Sequence, residues 1–276
     1  MPIITISRQL GSLGTEIATL LSDKSGCSCL DKNSLEQRFA EHGVSKENME
    51  RFDEKKPGFW DLFKTDKARY LHFLKGVVFE FVHGGNGIIL GRGGQVVLGH
   101  LPGVLNVRII SSLEVRKVRV MERFACDEDH ALKIIQHNDN ERAGFHKFFF
   151  DENWEDQSLY DLIINTGSFS AHTAAQLIGD LVNTPEFKSR EEATTRILDD
   201  LCMEHEVKTA IVFEQKILVQ FLEVLAVNGT VTLRGIVDNK EDIQLCGKIA
   251  AAKPGVKEVR NEIYYSPITS SYGIHY

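Results

Sequence analysis

Apolar positions along the chain fall into short β-branched runs separated by longer stretches of helical spacing. Ile3, Ile4 and Ile6 predict a buried strand, and Ile17, Ala18, Leu20 and Leu21 a helix behind it. A short return strand follows within 26–31, then a helix over 32–41 with Leu35 and Phe39 inward and Gly43 as its stop. Residues 44–66 are charged and aromatic, with Pro57-Gly58-Phe59-Trp60, and read either as a plain surface excursion or as a flap over a substrate. Residues 70–82 carry Leu71, Leu74, Val77, Val78 and Phe81 on one side, the signature of an amphipathic helix. Residues 88–90, 104–110 and 160–166 predict further buried strands, and 114–124, 127–143 and 171–182 predict helices. This alternation predicts an α/β fold, a mostly parallel twisted sheet with helices on both faces.

Residues 184–189, with Pro185, break the pattern and read as a linker. Beyond it come a helix over 191–204, a helix-to-strand passage over 206–227 and the turn dipeptide Asn228-Gly229. An alternating strand over 231–237, a helix over 238–252 and a last strand over 256–265 complete a small α+β module. Two domains are therefore expected, 1–185 and 190–276, a division that the length of 276 residues accommodates.

Charge and composition narrow the function classes. A net charge of −7 argues against general nucleic-acid binding, which needs a basic face. The apolar runs fall short of the roughly 18 residues of a membrane helix. The first residues enter a strand directly, with no signal-peptide pattern, and five scattered cysteines suit a reducing compartment, so a cytoplasmic location is expected. Cys27 and Cys29 stand two apart, neither zinc-ribbon nor thioredoxin spacing, and no metal ligands are assigned.

Candidate chemistry gathers at strand ends. Arg8-Gln9-Leu10-Gly11-Ser12-Leu13-Gly14-Thr15 joins the first strand to the first helix, the geometry that aims backbone N–H groups at a phosphate. Against the G-x-x-x-x-G-K-[ST] pattern, Arg8 takes the first glycine position, Gly14 the lysine position and Thr15 the hydroxyl position. An anion cradle and an ordinary tight βα turn both remain open on this stretch. Gly91-Arg92-Gly93-Gly94 bares the backbone at another strand end, and makes Arg92 the best anion-ligand candidate. Arg116, Arg119 and Arg123 share a helix face, either a solvated surface or a row facing polyphosphate.

The opening Ile-Thr-Ile-Ser-Arg-Gln-x-Gly-Ser-x-Gly-x-Glu-Ile-Ala resembles the cytidylate-kinase-like proteins, a divergent branch of the P-loop nucleoside monophosphate kinases. Asp31-Lys32, Gly91-Arg92-Gly93, Glu114-x-Arg116, Asp139-x-x-Arg142 and Tyr160-Asp161-Leu162-Ile163-Ile164-Asn165-Thr166 follow in family order. The resemblance implies a P-loop NTPase-type sheet and phosphoryl transfer from ATP to a nucleoside monophosphate with Mg²⁺, chemistry that is mainly positioning and charge neutralisation. It implies that Arg8, Gly11, Ser12, Leu13, Gly14, Thr15 and Arg119 meet the donor, that Arg92 and Asp31 meet the acceptor, and that Arg116 lies against the donor nucleotide. Asp139 and Arg142 would belong to the lid. The chain departs from the branch where an arginine is Thr15 and where a lid arginine is Ile135.

Gly229-Thr230-Val231-Thr232-Leu233-x-Gly235-x-Val237, then Pro254-Gly255-Val256-x-x-Val259-x-Asn261, resembles the BON domains, which implies a regulatory or interaction module. Membrane contact is set aside for want of an export signal, and assembly with a second copy or a partner through this module is left open. Two functions are expected: a cytidylate-kinase-like enzyme, or a non-catalytic nucleotide-binding sensor.

Overall fold

Strands β1 (Ile3–Arg8), β2 (Cys29–Leu30), β3 (Gly87–Leu90), β4 (Val104–Ile110) and β5 (Leu162–Asn165) form one parallel sheet in the order β2-β3-β1-β4-β5. The structure is a computed structural model and describes residues 2–41 and 64–267. Helices α1 (Gly14–Ser25), α2 (Lys32–Glu41), α3 (Lys64–Val82), α4 (Gly94–Val97), α5 (Leu113–Phe124), α6 (Glu128–Phe150) and α7 (Ala171–Val182) connect these strands or follow them. All but the last residue of β1 is buried, as a strand covered on both faces requires. Ile4, Ile6, Leu105, Val107 and Ile109 pack against Ile17 and Leu21 of α1 and Ile178 and Val182 of α7.

From β1 the chain runs outward to β2, returns to β3 beside β1, then crosses to β4 on the other flank. The reversal opens a crevice at the carboxyl ends of the central strands, where ligands sit in such sheets. The sequence places Arg8 and Gly91 at that rim. Residues 44–63 of the expected insertion lie outside the described residues, and 64–66 open α3.

Several elements differ from the sequence reading, among them α4, where no helix is expected. Helix α6 continues to Phe150, where Asp151 closes it in a left-handed conformation. Its last turns are held by ring contacts, Tyr70 lying 6.4 Å from Phe145 and 4.5 Å from Phe149 between centroids. The stretch read as a linker holds the helical turn α8 (Pro185–Lys188), with Thr184 as N-cap and Pro185 in the first turn, a helix start rather than a break. Phe187 packs on the core of the first unit, which runs from Met1 to Thr194.

The second unit spans Thr195–Tyr276. Helix α9 (Glu191–Thr209) runs into a π-helical turn, Ala210–Glu214, before β6 (Gln220–Val227). β7 (Thr230–Val237) pairs antiparallel with β6 and parallel with β8 (Glu258–Tyr265), which it reaches through α10 (Lys240–Ala251). Asn228 and Gly229 both have positive φ, 52° and 88°, as a two-residue hairpin demands. Val224, Val231, Leu233, Cys246 and Ile263 anchor its core. Among the described residues no helix is long and apolar enough to cross a membrane.

Candidate functional site

Residues 9–13 turn from β1 into α1, with Gly11 at φ 77° and Leu13 at φ 65°. For leucine that conformation costs roughly 1–2 kcal/mol, so contacts must hold the loop in place. Ser12 Oγ donates to the Ile109 carbonyl at 3.0 Å, and Thr166 Oγ1 to the Ser12 carbonyl at 2.9 Å. Arg116 Nε donates to the Leu10 carbonyl at 2.9 Å, and Arg119 Nη1 to the Gly11 carbonyl at 3.1 Å. Asp139 Oδ1 accepts from the Leu10 N–H at 3.4 Å while its Oδ2 accepts from Arg116 at 2.5 Å. The Leu10 side chain packs on the cluster of Val120, Ala131 and Ile135 between α5 and α6. Carbonyls of the loop are thus turned back towards cations. The first N–H groups of α1, which no preceding carbonyl can reach, are left for a cleft of about 560 Å³.

Arg8 crosses this cleft's inner wall. A Cβ on Gly14 would stand 2.5 Å from Arg8 Cβ and 2.8 Å from its Cγ, and a Cβ on Gly91 would run into its Nη1. The side chain therefore lies over one bare glycine and ends at another. Among the described residues its guanidinium makes no hydrogen bond. Burial, then Arg142 and Arg92 beside it, push its pKa down to about 9, against a weaker pull from Cys29 and Asp31.

Arg142 extends the same patch from α6. Burial lowers its pKa, and Arg116 and Arg92 add to that while Asp139 opposes it. Its Nη1 lies 3.6 Å from Asp139 Oδ1, yet it is one of two buried side-chain polar atoms without a hydrogen bond among the described residues, the other being Ser111 Oγ. A cluster of arginines with one donor left over is the environment that a multiply charged anion satisfies.

Gly91, Arg92 and Gly93 all have positive φ, 81°, 54° and 71°. The glycines answer to neighbours as well as to the turn, since a Cβ on Gly93 would run into Phe150. The Arg92 guanidinium stands 5.7 Å from the Phe145 ring centroid, a contact with α6 that its glycine neighbours in sequence do not reveal. Asp31 caps α2, its Oδ1 accepting from the Ser34 N–H and hydroxyl at 2.9 Å each. Burial pushes its carboxyl up, but these bonds and Arg8 leave it below the usual value.

Behind the loop lies a polar cluster that the sequence reading missed. Arg108, 5% exposed in β4, stands 4.4 Å from the Trp154 ring centroid and 5.3 Å from that of Tyr160. Its Nη1 donates to the Trp154 carbonyl and, at 3.3 Å, to the Tyr160 hydroxyl. Trp154 Nε1 donates to Ser7 Oγ at 2.8 Å. His146 joins this group. A carbonyl only accepts, so its Nδ1–H donates to the Arg142 carbonyl at 2.8 Å and its Nε2 accepts from Gln95 at 2.7 Å. Burial pushes its pKa down to about 4, Arg108 and Arg142 assisting against the Arg142 carbonyl, so the ring is neutral. A legible signal existed: Asn106 and Arg108 sit two apart in an otherwise apolar strand, on one face.

Arg8, Gly11, Leu13, Gly14, Thr15, Arg119 and Arg142 thus line one cleft, together with Glu16, Glu122 and Arg123. Arg92 and Asp31 adjoin it as charge neighbours of Arg8. Arg116, Ser12 and Asp139 stand behind the loop and brace it, and Ile135, 2% exposed, is a core residue beneath it.

The profile of the cytidylate kinase-like family matches residues 3–168, and that of the BON domain matches residues 199–267. A cytidylate kinase of Methanothrix thermoacetophila is 31% identical over 167 residues, covering 60% of this chain and 88% of that protein. A cytidylate kinase of Archaeoglobus fulgidus is 26% identical over 196 residues, covering 67% of this chain and 97% of that protein. Among solved structures, an uncharacterized protein from Eubacterium ventriosum aligns with a TM-score of 0.50 and 22% identity, covering 67% of this chain and 99% of that one, a likeness of fold.

Proposed function

Because the chain belongs to the cytidylate kinase-like family, we propose that its first unit transfers the terminal phosphoryl group of ATP to a nucleoside monophosphate, and that the BON domain regulates it or binds a partner. The observation that carries this reading is the meeting of Arg8 and Arg142 on the cleft that faces the first turn of α1, with Arg92 as a further charge neighbour of Arg8. The loop N–H groups hold donor phosphates, Arg142 covers them from α6, and Arg92 holds the acceptor phosphate. In phosphoryl transfer charge neutralisation and alignment are nearly the whole of catalysis.

The donor set also suits a hard cation. Glu16 and Glu122 supply carboxylate oxygens on the cleft wall beside the arginines. Glu16 and Glu122 would hold Mg²⁺ there, and the ion would supply neutralisation of the phosphate charge. The protein's own residues fix the phosphates and keep the carboxylates within reach.

A second reading, a nucleotide-binding sensor without turnover, is favoured by one observation. Ile135 is buried in the apolar cluster below the loop, so the lid brings no cation at that position. A coupled assay with ATP, Mg²⁺ and a panel of nucleoside monophosphates separates the two. Transfer to at least one monophosphate is expected; tight ATP binding with no transfer to any would establish the sensor.

A further inference from the structure

Gly14 stands where nucleotide-binding loops of this shape carry lysine, and the structure supplies a reason beyond simple loss. A Cβ at that position would collide with Cβ and Cγ of Arg8, the stiff base of a side chain rather than its movable tip. Arg8 itself occupies the first-glycine position, and is the last residue of β1. Hence a side chain on position 14 and the Arg8 stem exclude each other, and the loop can carry one cation or the other. Gly91, at the far end, takes the guanidinium on its bare face with φ 81°.

We infer that Arg8 is the loop's transferred-phosphoryl cation, reaching from the strand side the place that a lysine reaches from the helix side, with Gly14 and Gly91 as the bed that admits it. This rests on the kinase reading above. Its tip lies at Gly91, next to Arg92 in the chain, and Arg142 and Arg92 both act electrostatically on it, so the residues assigned to donor and acceptor are both its charge neighbours. Among the described residues no hydrogen bond engages it, which leaves its planar fork for two phosphate oxygens at once. In the step, the bond from the γ-phosphorus to the β–γ bridging oxygen breaks and the leaving nucleoside diphosphate keeps the electron pair. A new bond forms from that phosphorus to an ionised oxygen of the acceptor phosphate. Arg8 keeps its proton throughout and neutralises charge on the oxygens in transit. With a pKa of about 9 it is cationic at neutral pH.

Arg8→Met tests this, because methionine keeps the stem over Gly14 and removes the charge. Melting temperature, transfer rate, and affinities for ATP and ADP by calorimetry are measured on the full chain. A folded variant should lose about 10²–10³ in rate and its preference for ATP over ADP. A rate within about threefold of the unsubstituted chain would overturn the assignment. Should Arg8→Met not fold, the paired exchange R8G/G14K decides: transfer from that chain supports one cation entering from either side, and a folded but inert chain overturns it. If the unsubstituted chain transfers to no monophosphate, the kinase reading fails separately. Arg8 is then judged by affinity alone: an ATP preference lost in Arg8→Met upholds it as the γ-phosphate cation, and an unchanged preference ends it.

Discussion

The α5 side of the cleft and the β1–α6 side are both rich in arginine, yet they use it in opposite ways. On the α5 side Arg116 and Arg119 are engaged by the Leu10 and Gly11 carbonyls, Asp139 and Thr166. On the other side Arg8 makes no hydrogen bond among the described residues and Arg142 Nη1 has none. An arginine row therefore says little about anion binding until its partners are known. The first set shapes the loop, and the second awaits what the loop receives.

Removing a brace should produce the largest effect. Arg116→Ala leaves Asp139 half-buried without its closest partner, and about 3–5 kcal/mol of stability should go. Urea unfolding measures it. A loss below about 1 kcal/mol would place Arg116 with the uncommitted cations and erase the contrast.

Acid should act on the other side, through His146. Its folded pKa is about 4 against an ordinary 6.5, so between those values the unfolded chain binds the extra proton. Stability is thus full above about pH 6.5 and falls by about 3 kcal/mol as pH drops towards 4. Unfolding curves at several pH values, repeated on His146→Gln, should show that part of the slope disappear. An unchanged slope would mean that other groups carry it.

Arg92→Ala should weaken monophosphate binding by roughly 1.5–3 kcal/mol. Its contact with Phe145 is worth about 0.5–1 kcal/mol, and for a phosphate ligand folding should change less than binding. Calorimetry set beside thermal melting checks the order, and the reverse order would make Arg92 a brace.

The smallest effect is expected from Thr15→Arg. Thr15 is exposed at the cleft edge, so an added cation there would be worth about 0.2–1 kcal/mol of ATP affinity. A larger gain would mean that the Arg8 side leaves the donor phosphates short of charge.

Much of this arrangement was legible in the residues. β-branched runs mark β1, β3, β4 and β5, because the central strands are covered on both faces and must be largely apolar, while the pattern places the two-residue β2, Cys29–Leu30, only within 26–31. Of the ordered motifs, the opening loop and Arg142 line the cleft, while Arg116 and Asp139 brace the loop from behind. What was not legible depends on distant pairs. Arg116 reads as a phosphate ligand until it is seen against Leu10, 106 positions away. Arg108 hides in an apolar strand until Trp154 and Tyr160 enclose it. Gly14 reads as a lost lysine until Arg8 is seen lying over it.

The separation of those partners has a consequence for how the site comes into being. Ser12 is fixed by Ile109, 97 positions on, and by Thr166, 154 positions on. Residues made first therefore hold their final shape only after residues made much later arrive. At about 5–20 residues per second of synthesis, the loop waits roughly 8–30 s after it is made for Thr166 to follow. By the end of that interval β3, β4 and α5 have been made and can pair with the opening strand and brace its loop, but the Thr166 bond to the Ser12 carbonyl comes last, so nucleotide competence should switch on late, when β5 joins the sheet's edge.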